Sequence, residues 1–200
     1  MASKISHIWP LPQPFVRITS PYGGRINPIT GQPQKHRGID IAADTMTPIF
    51  ATAGGKVSRA ALEKDAKSDG ARAAGNYIEL THEDGSVSRY LHQTKFNVKQ
   101  GDTVKKGDII GYIGSSGAST GPHLHYEIWN GAPFASQERN PTDVLTGSGR
   151  AVAETLLRKN WRWIAVAGLA GVAAALAVTY QPAPAAPRPV MANPRLRIRA

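Results

Sequence analysis

Short runs of β-branched and aromatic residues, bounded by Gly, Pro, Asp or Asn, recur through the first two thirds of the chain and predict strands. They lie at 15–19, 38–42, 49–53, 56–60, 77–81, 87–92, 109–113 and 124–128. Together they predict an all-β fold, an antiparallel sheet or sandwich over residues 15–146, preceded by a tail at 1–14. A local repeat supports this. Val98-Lys-Gln-Gly-Asp-Thr and Val104-Lys-Lys-Gly-Asp-Ile each put Gly-Asp at a turn, where Gly takes positive φ and Asp bonds nearby backbone. Residues 63–74 are polar without alternation and read as an inserted surface loop.

After the Gly-Ser-Gly spacer at 147–149 the pattern changes. Residues 147–160 read as a linker and juxtamembrane helix. The uncharged, Ala- and Val-rich run at 163–180 that follows predicts a helix over 161–180, about 30 Å long and therefore able to span one bilayer. Trp161, Trp163 and Tyr180 stand at its ends, where amphipathic rings favour the headgroup level, and Arg158, Lys159 and Arg162 flank its start. A buried Ala-rich helix is the alternative, but the Pro-rich stretch at 181–200 offers nothing to cover it; that stretch reads as an extended, disordered tail ending in Arg195, Arg197 and Arg199.

Composition sharpens this division. The 200 residues include 24 Lys plus Arg, 14 Asp plus Glu and no Cys, a formal charge of +10. Residues 1–150 carry +4 and residues 151–200 carry +6, so most of the excess belongs to the anchor and tail. This favours lipid and wall polymers as partners; nucleic acid is not expected, since no basic stretch is interleaved with aromatics. Without cysteine there is no disulfide framework, thiolate zinc site or cysteine nucleophile, so any metal site must use His and carboxylate.

Five of the six histidines fall between residues 36 and 125. His36 and Asp40 lie four apart in His-Arg-Gly-Ile-Asp, with Gly38 leaving room for close backbone approach. His123 and His125 lie two apart, so on a strand both imidazoles enter one pocket while Leu124 packs behind. His82 reads as a surface or turn residue, and His7, beside Trp9, has no assigned role. There is no His-Glu-x-x-His helix, Gly-x-Ser-x-Gly elbow or phosphate loop.

Ser20-Pro-Tyr-Gly-Gly-Arg, His36-Arg-Gly-Ile-Asp-Ile-Ala, Tyr90-Leu-His92 and Gly121-Pro-His-Leu-His-Tyr-Glu follow one another in an order that resembles the LytM/lysostaphin-like zinc endopeptidases of peptidoglycan, peptidase family M23. The resemblance runs from about Pro21 to Leu145. It implies one zinc ion held by His36, Asp40 and His125, with a fourth position left for water. It further implies that His92 and His123 activate that water and stabilise the oxyanion, in a division of labour the sequence does not give. Some members carry a tyrosine shortly before the first ligand; residues 29–35 contain none.

The expected function is thus a membrane-anchored endopeptidase of peptidoglycan stem or cross-bridge peptides, located in a membrane through one C-terminal span. The other reading is a non-catalytic wall-binding membrane protein. Residues 1–15 lack a signal-peptide pattern. This raises the expectation of a phage enzyme, carried in the virion or acting in lysis, with its membrane that of the virion or the host.

Overall fold

The strand His123–Trp129 (β12) alternates side chains between two environments. Leu124, Tyr126 and Ile128 are fully buried in the interior, while His123, His125, Glu127 and Trp129 face the other way. This two-sided strand is the spine of the domain. The structure, a computed structural model, describes residues 5–12 and 17–146. The linker at 147–160, the apolar run at 161–180 and the tail at 181–200 lie outside the described residues. Among the described residues no helix is long and apolar enough to cross a membrane.

The strands preceding β12 are β1 (Arg17–Ser20), β2 (Gly23–Ile26), β3 (Pro33–His36), β4 (Ile39–Ala42), β5 (Pro48–Phe50), β6 (Gly55–Ala61), β7 (Tyr77–Thr81), β8 (Val87–Leu91), β9 (Gln93–Phe96), β10 (Thr103–Val104) and β11 (Ile109–Ile113). The short β13 (Glu138–Arg139) follows it, and one helix, α1 (Asp69–Ala74), lies between β6 and β7. The larger sheet runs β1-β4-β12-β8-β7-β6-β10, with β13 also paired to β12. A second sheet runs β5-β11-β9, and β2 and β3 form a separate hairpin. All strand pairs are antiparallel, as the pattern predicts.

The two larger sheets bury a shared apolar core. Ile41, Ile78, Leu80, Leu124 and Tyr126 from the first meet Ile49, Ile110 and Ile113 from the second. The Gly-Asp repeat does what its chemistry implies: Gly101 and Gly107 have φ of 94° and 87°, and Asp102 and Asp108 accept the amides of Lys99 and Lys105 at 2.9 and 2.8 Å.

Two segments differ from the sequence reading. The described part of the 1–14 tail belongs to the domain: His7, Ile8 and Leu11 are buried, His7 bridges to Leu145, and Leu11 joins the main core. The 63–74 loop contains a 3-10 turn at Glu63–Asp65 and α1, which Ser68 caps by accepting the Ala71 amide. A six-residue helix with a polar face shows too little periodicity to be read from sequence.

Candidate active site

The pairing of β4 with β12 sets Asp40 directly opposite His125. His36, at the end of β3, reaches the same point from the hairpin. His36 Nε2, Asp40 Oδ1 and His125 Nδ1 form a triangle with sides of 3.1, 2.7 and 3.0 Å. Tetrahedral zinc ligands at about 2.0–2.1 Å stand about 3.3 Å apart, so the triangle is close to the size such an ion requires. The donor set, two imidazole nitrogens and one carboxylate oxygen, suits a borderline cation, and the three residues expected from the sequence are the ones brought together here.

The far side of each donor is engaged, which points the near side inward. His36 Nδ1 lies 2.7 Å from the Pro21 carbonyl and donates to it, leaving Nε2 free of a proton. Asp40 Oδ2 accepts from the Arg25 guanidinium at 2.7 Å, leaving Oδ1 for the triangle. His125 Nε2 lies 3.0 Å from Glu127 Oε1 and donates to it, leaving Nδ1. Such outer partners fix the tautomer and orientation of ligating side chains. Burial alone would depress the His125 imidazole, but the Asp40 and Glu127 carboxylates outweigh it and raise its pKa to about 9. Burial would raise both carboxyls, yet the neighbouring His125, and for Asp40 also His36, hold them well below the usual range.

Behind this triangle runs a row of alternating charge. Arg59, Glu79, Arg89 and Glu127 are successive cross-strand partners on β6, β7, β8 and β12. The buried Arg89 donates to Glu79 Oε1 at 2.9 Å and to Glu127 Oε2 at 2.7 Å, and Trp129 Nε1 donates to Glu127 Oε2 at 2.8 Å. Gly38 makes room for the end of the row: a Cβ there would stand 2.2 Å from the Tyr126 carbonyl oxygen and 3.0 Å from Glu127 Cγ. Arg25, Arg89 and Glu127 have no role in the sequence reading. Glu127 carried a usable signal, since two residues beyond His125 it faces the same side.

His92 and His123 border the same cleft, of about 800 Å³, their rings 4.7 Å apart. Each has its Nδ1 against a main-chain carbonyl, Ser116 for His92 and Gly121 for His123, both at 2.8 Å. Both therefore keep Nε2 as the available nitrogen. Burial, helped by the neighbouring imidazoles of His123 and His125, lowers the His92 pKa to about 4, so the ring is neutral. His92 also has a φ of 63°, a conformation few non-glycine residues adopt. It is the corner at which the chain leaves β8 for β9 and crosses between sheets. The inserted segment supports that corner: the Ala74 carbonyl accepts the His92 amide at 3.2 Å, and Glu63 Oε2 accepts the Gly117 amide at 3.0 Å.

The other two histidines lie away from the triangle, as expected, but neither is a surface group. His82 is buried between the Gly54 carbonyl and Ser88 Oγ, at 2.8 and 2.9 Å. His7 is fully buried with Nδ1 2.9 Å from Thr52 Oγ1, and its ring meets that of His82 edge-on at 4.9 Å.

The sequence profile of Peptidase family M23 matches residues 34–141. The peptidoglycan DD-endopeptidase ShyC of Vibrio cholerae is 40% identical over 118 residues, covering 58% of this chain and 25% of its own length. The chain spans about a third or less of the length of the curated relatives it matches. Among solved structures, the catalytic domain of lysostaphin from Staphylococcus simulans is similar at 35% identity with a TM-score of 0.55, covering 64% of this chain and 90% of that domain. A zinc-containing peptidase from Vibrio cholerae is similar at 30% identity and a TM-score of 0.57, covering 72% and 40%.

Proposed function

The chain belongs to peptidase family M23, and we propose that it is a zinc metalloendopeptidase hydrolysing peptide bonds in the stem or cross-bridge peptides of peptidoglycan. The observation that carries this reading is the convergence of His36 Nε2, Asp40 Oδ1 and His125 Nδ1 at the cleft bordered by His92 and His123. The similar proteins are named as a peptidoglycan endopeptidase, an antimicrobial peptidase and a zinc-containing peptidase, which supports the same chemistry.

His36, Asp40 and His125 would hold the ion, which when bound supplies Lewis acidity toward a water and the scissile carbonyl. The remaining work falls to the protein. A neutral imidazole with Nδ1–H tied to a carbonyl presents a basic Nε2, so His92 or His123 accepts the proton released as water attacks. The protonated ring then donates to the departing amine, while its partner serves the developing oxyanion once it too carries a proton on Nε2. Rings already held by hydrogen bonds need little reorganisation for either step. Retention of all five side chains favours hydrolysis over mere wall binding.

The run at 161–180 serves in this reading as a single bilayer anchor, with lipid as the second partner. A phage enzyme, virion-associated or acting in lysis, extends the same proposal. The test of hydrolysis is turbidity loss of purified sacculi by the full chain, with and without a chelator, beside His125→Ala. The expected result is clearing by the untreated enzyme alone, and equal clearing in all three removes the zinc mechanism. Mass spectrometry of the products names the bond. Retention in carbonate-washed membranes tests the anchor, and detection in purified virions tests the phage reading.

A further inference from the structure

Along one wall of the cleft, guanidinium groups and aromatic rings alternate in an unbroken stack. Arg37 lies over Phe134 at 5.5 Å, Arg89 over Phe134 at 5.0 Å and over Tyr77 at 5.2 Å, and Arg59 over Tyr77 at 5.6 Å. All five line the cavity that holds the His36, Asp40 and His125 triangle. The central Arg89 is buried and spent on Glu79 and Glu127. The two ends are different. Arg37 and Arg59 are exposed, and neither forms an ion pair among the described residues. Glu79, opposite Arg59 in register, gives Oε1 to Arg89, and Glu138, nearest in charge to Arg37, is bonded to Lys35.

The ring at the Arg37 end is held at a cost. Phe134 is 65% exposed and has a φ of 64°, an unfavourable conformation for a bulky residue. One side of the ring packs on Trp129 at 5.1 Å, but neither its exposed side nor that backbone helps folding, so their coincidence at the cleft marks a group kept for what it does there. What it does is stack a guanidinium. A stacked arginine has lost much of its rotamer freedom and offers its N–H fork in a fixed plane, the geometry that suits a carboxylate bidentately.

We infer that Arg37 and Arg59, oriented by Phe134 and Tyr77, form a recognition site for free carboxylates of the substrate, so that the enzyme selects acidic stem-peptide cross-links over uncharged bridges. The inference rests on the proposed peptidoglycan substrate. It adds two specificity-determining residues that lie outside the metal triangle and the His92–His123 pair. The cations line the same cleft as the metal triangle without belonging to it, so they select the peptide by holding its side-chain or terminal carboxylates.

The test uses two cross-linked stem-peptide dimers that differ in one respect: in one the diaminopimelate carboxylates are free, in the other amidated. KM and kcat are measured for the full chain and for Arg37→Ala, Arg59→Ala, the double variant and Arg37→Lys; the dissociation constants are measured on chelator-treated protein. The expected result is a preference for the free acid, expressed in KM and Kd, that falls roughly ten-fold in the double variant and is only partly kept by lysine, which has the charge without the fork. Equal treatment of the two dimers by the wild type, or equal losses on both in the variants, overturns the site. Preferential binding of the acid without cleavage leaves the site standing and removes the proposed hydrolysis.

Discussion

Glu127 accepts the Nε2 proton of His125 across 3.0 Å, from two residues further along the same strand. Its other oxygen accepts from Arg89 and Trp129. The ligating imidazole is thus fixed through a carboxylate that is itself fixed. In Glu127→Gln the amide oxygen can keep Arg89 and Trp129 only if the amide NH2 is turned against His125 Nε2. Metal affinity should fall roughly ten- to a hundred-fold, read by competition with a chromophoric chelator. Stability should fall by about 3 kcal/mol, because Arg89 stays buried with one carboxylate fewer. Unchanged affinity would mean that Glu127 does not support the ligand.

The two bordering histidines should separate from the ligands in their kinetics. His123→Ala is expected to lower kcat by roughly 10²- to 10⁴-fold while metal affinity stays close to wild type. At the left-handed corner, His92→Asn is the cleaner replacement, since Asn tolerates positive φ and removes the ring. Steady-state kinetics beside metal titration checks both; a loss of metal equal to that in His125→Ala would place these residues among the ligands.

Acid should weaken the domain through a histidine far from the cleft. Burial and the neighbouring His82 lower the His7 pKa to about 4, whereas an unfolded histidine titrates near 6.5. The folded state therefore resists a proton that the unfolded state takes up, and stability falls as pH drops from about 6.5 toward 4. At pH 5 the His7 contribution to this loss is roughly 2 kcal/mol. Urea unfolding of chelator-treated protein at pH 7 and pH 5 should show a smaller drop for His7→Asn than for the wild type. Parallel drops would rule out His7 as the source.

Gly38→Ala tests the closeness of β4 and β12. The added methyl would meet the Tyr126 carbonyl oxygen, a main-chain atom that no rotamer change can move aside. The expected outcome is destabilisation of about 3 kcal/mol or more together with weakened metal binding, since Asp40 and His125 face each other across these strands. Thermal unfolding with and without added zinc measures both, and wild-type values in each would show that the strands can part without loss.

Legibility followed periodicity. The His-x-His pair could be read because strand geometry sends alternate residues to one face, and β12 obeys that rule along its length. The β2–β3 hairpin could not, because Gly23-Gly-Arg25 and Pro33-Gln-Lys35 are mostly exposed and carry no apolar alternation. The inserted segment hid for another reason. Its contribution to the site is made by the Ala74 carbonyl and the Glu63 carboxylate, which say little in a polar stretch. Ile8 and Leu11 stand among prolines with no period, and the residues that bury them lie far along the chain, Phe50, Ile109 and Tyr112 beside Ile8 and Leu145 in the same cluster as Leu11.

That last contact has a mechanical side. The Thr146 amide donates to the His7 carbonyl at 2.7 Å, and His7 and Leu145 run side by side as a parallel bridge. The chain thus enters and leaves the domain at one spot, as if a ring had been cut there. A short linker joining residues 7 and 146 would close the ring, and new termini opened in the exposed turn at 99–101, which does not line the cleft, should yield a circular permutant with the same cleft. A tether attached on either side, ahead of His7 or beyond Thr146, would then hold the enzyme at the same point, and the reach of the cleft would follow tether length.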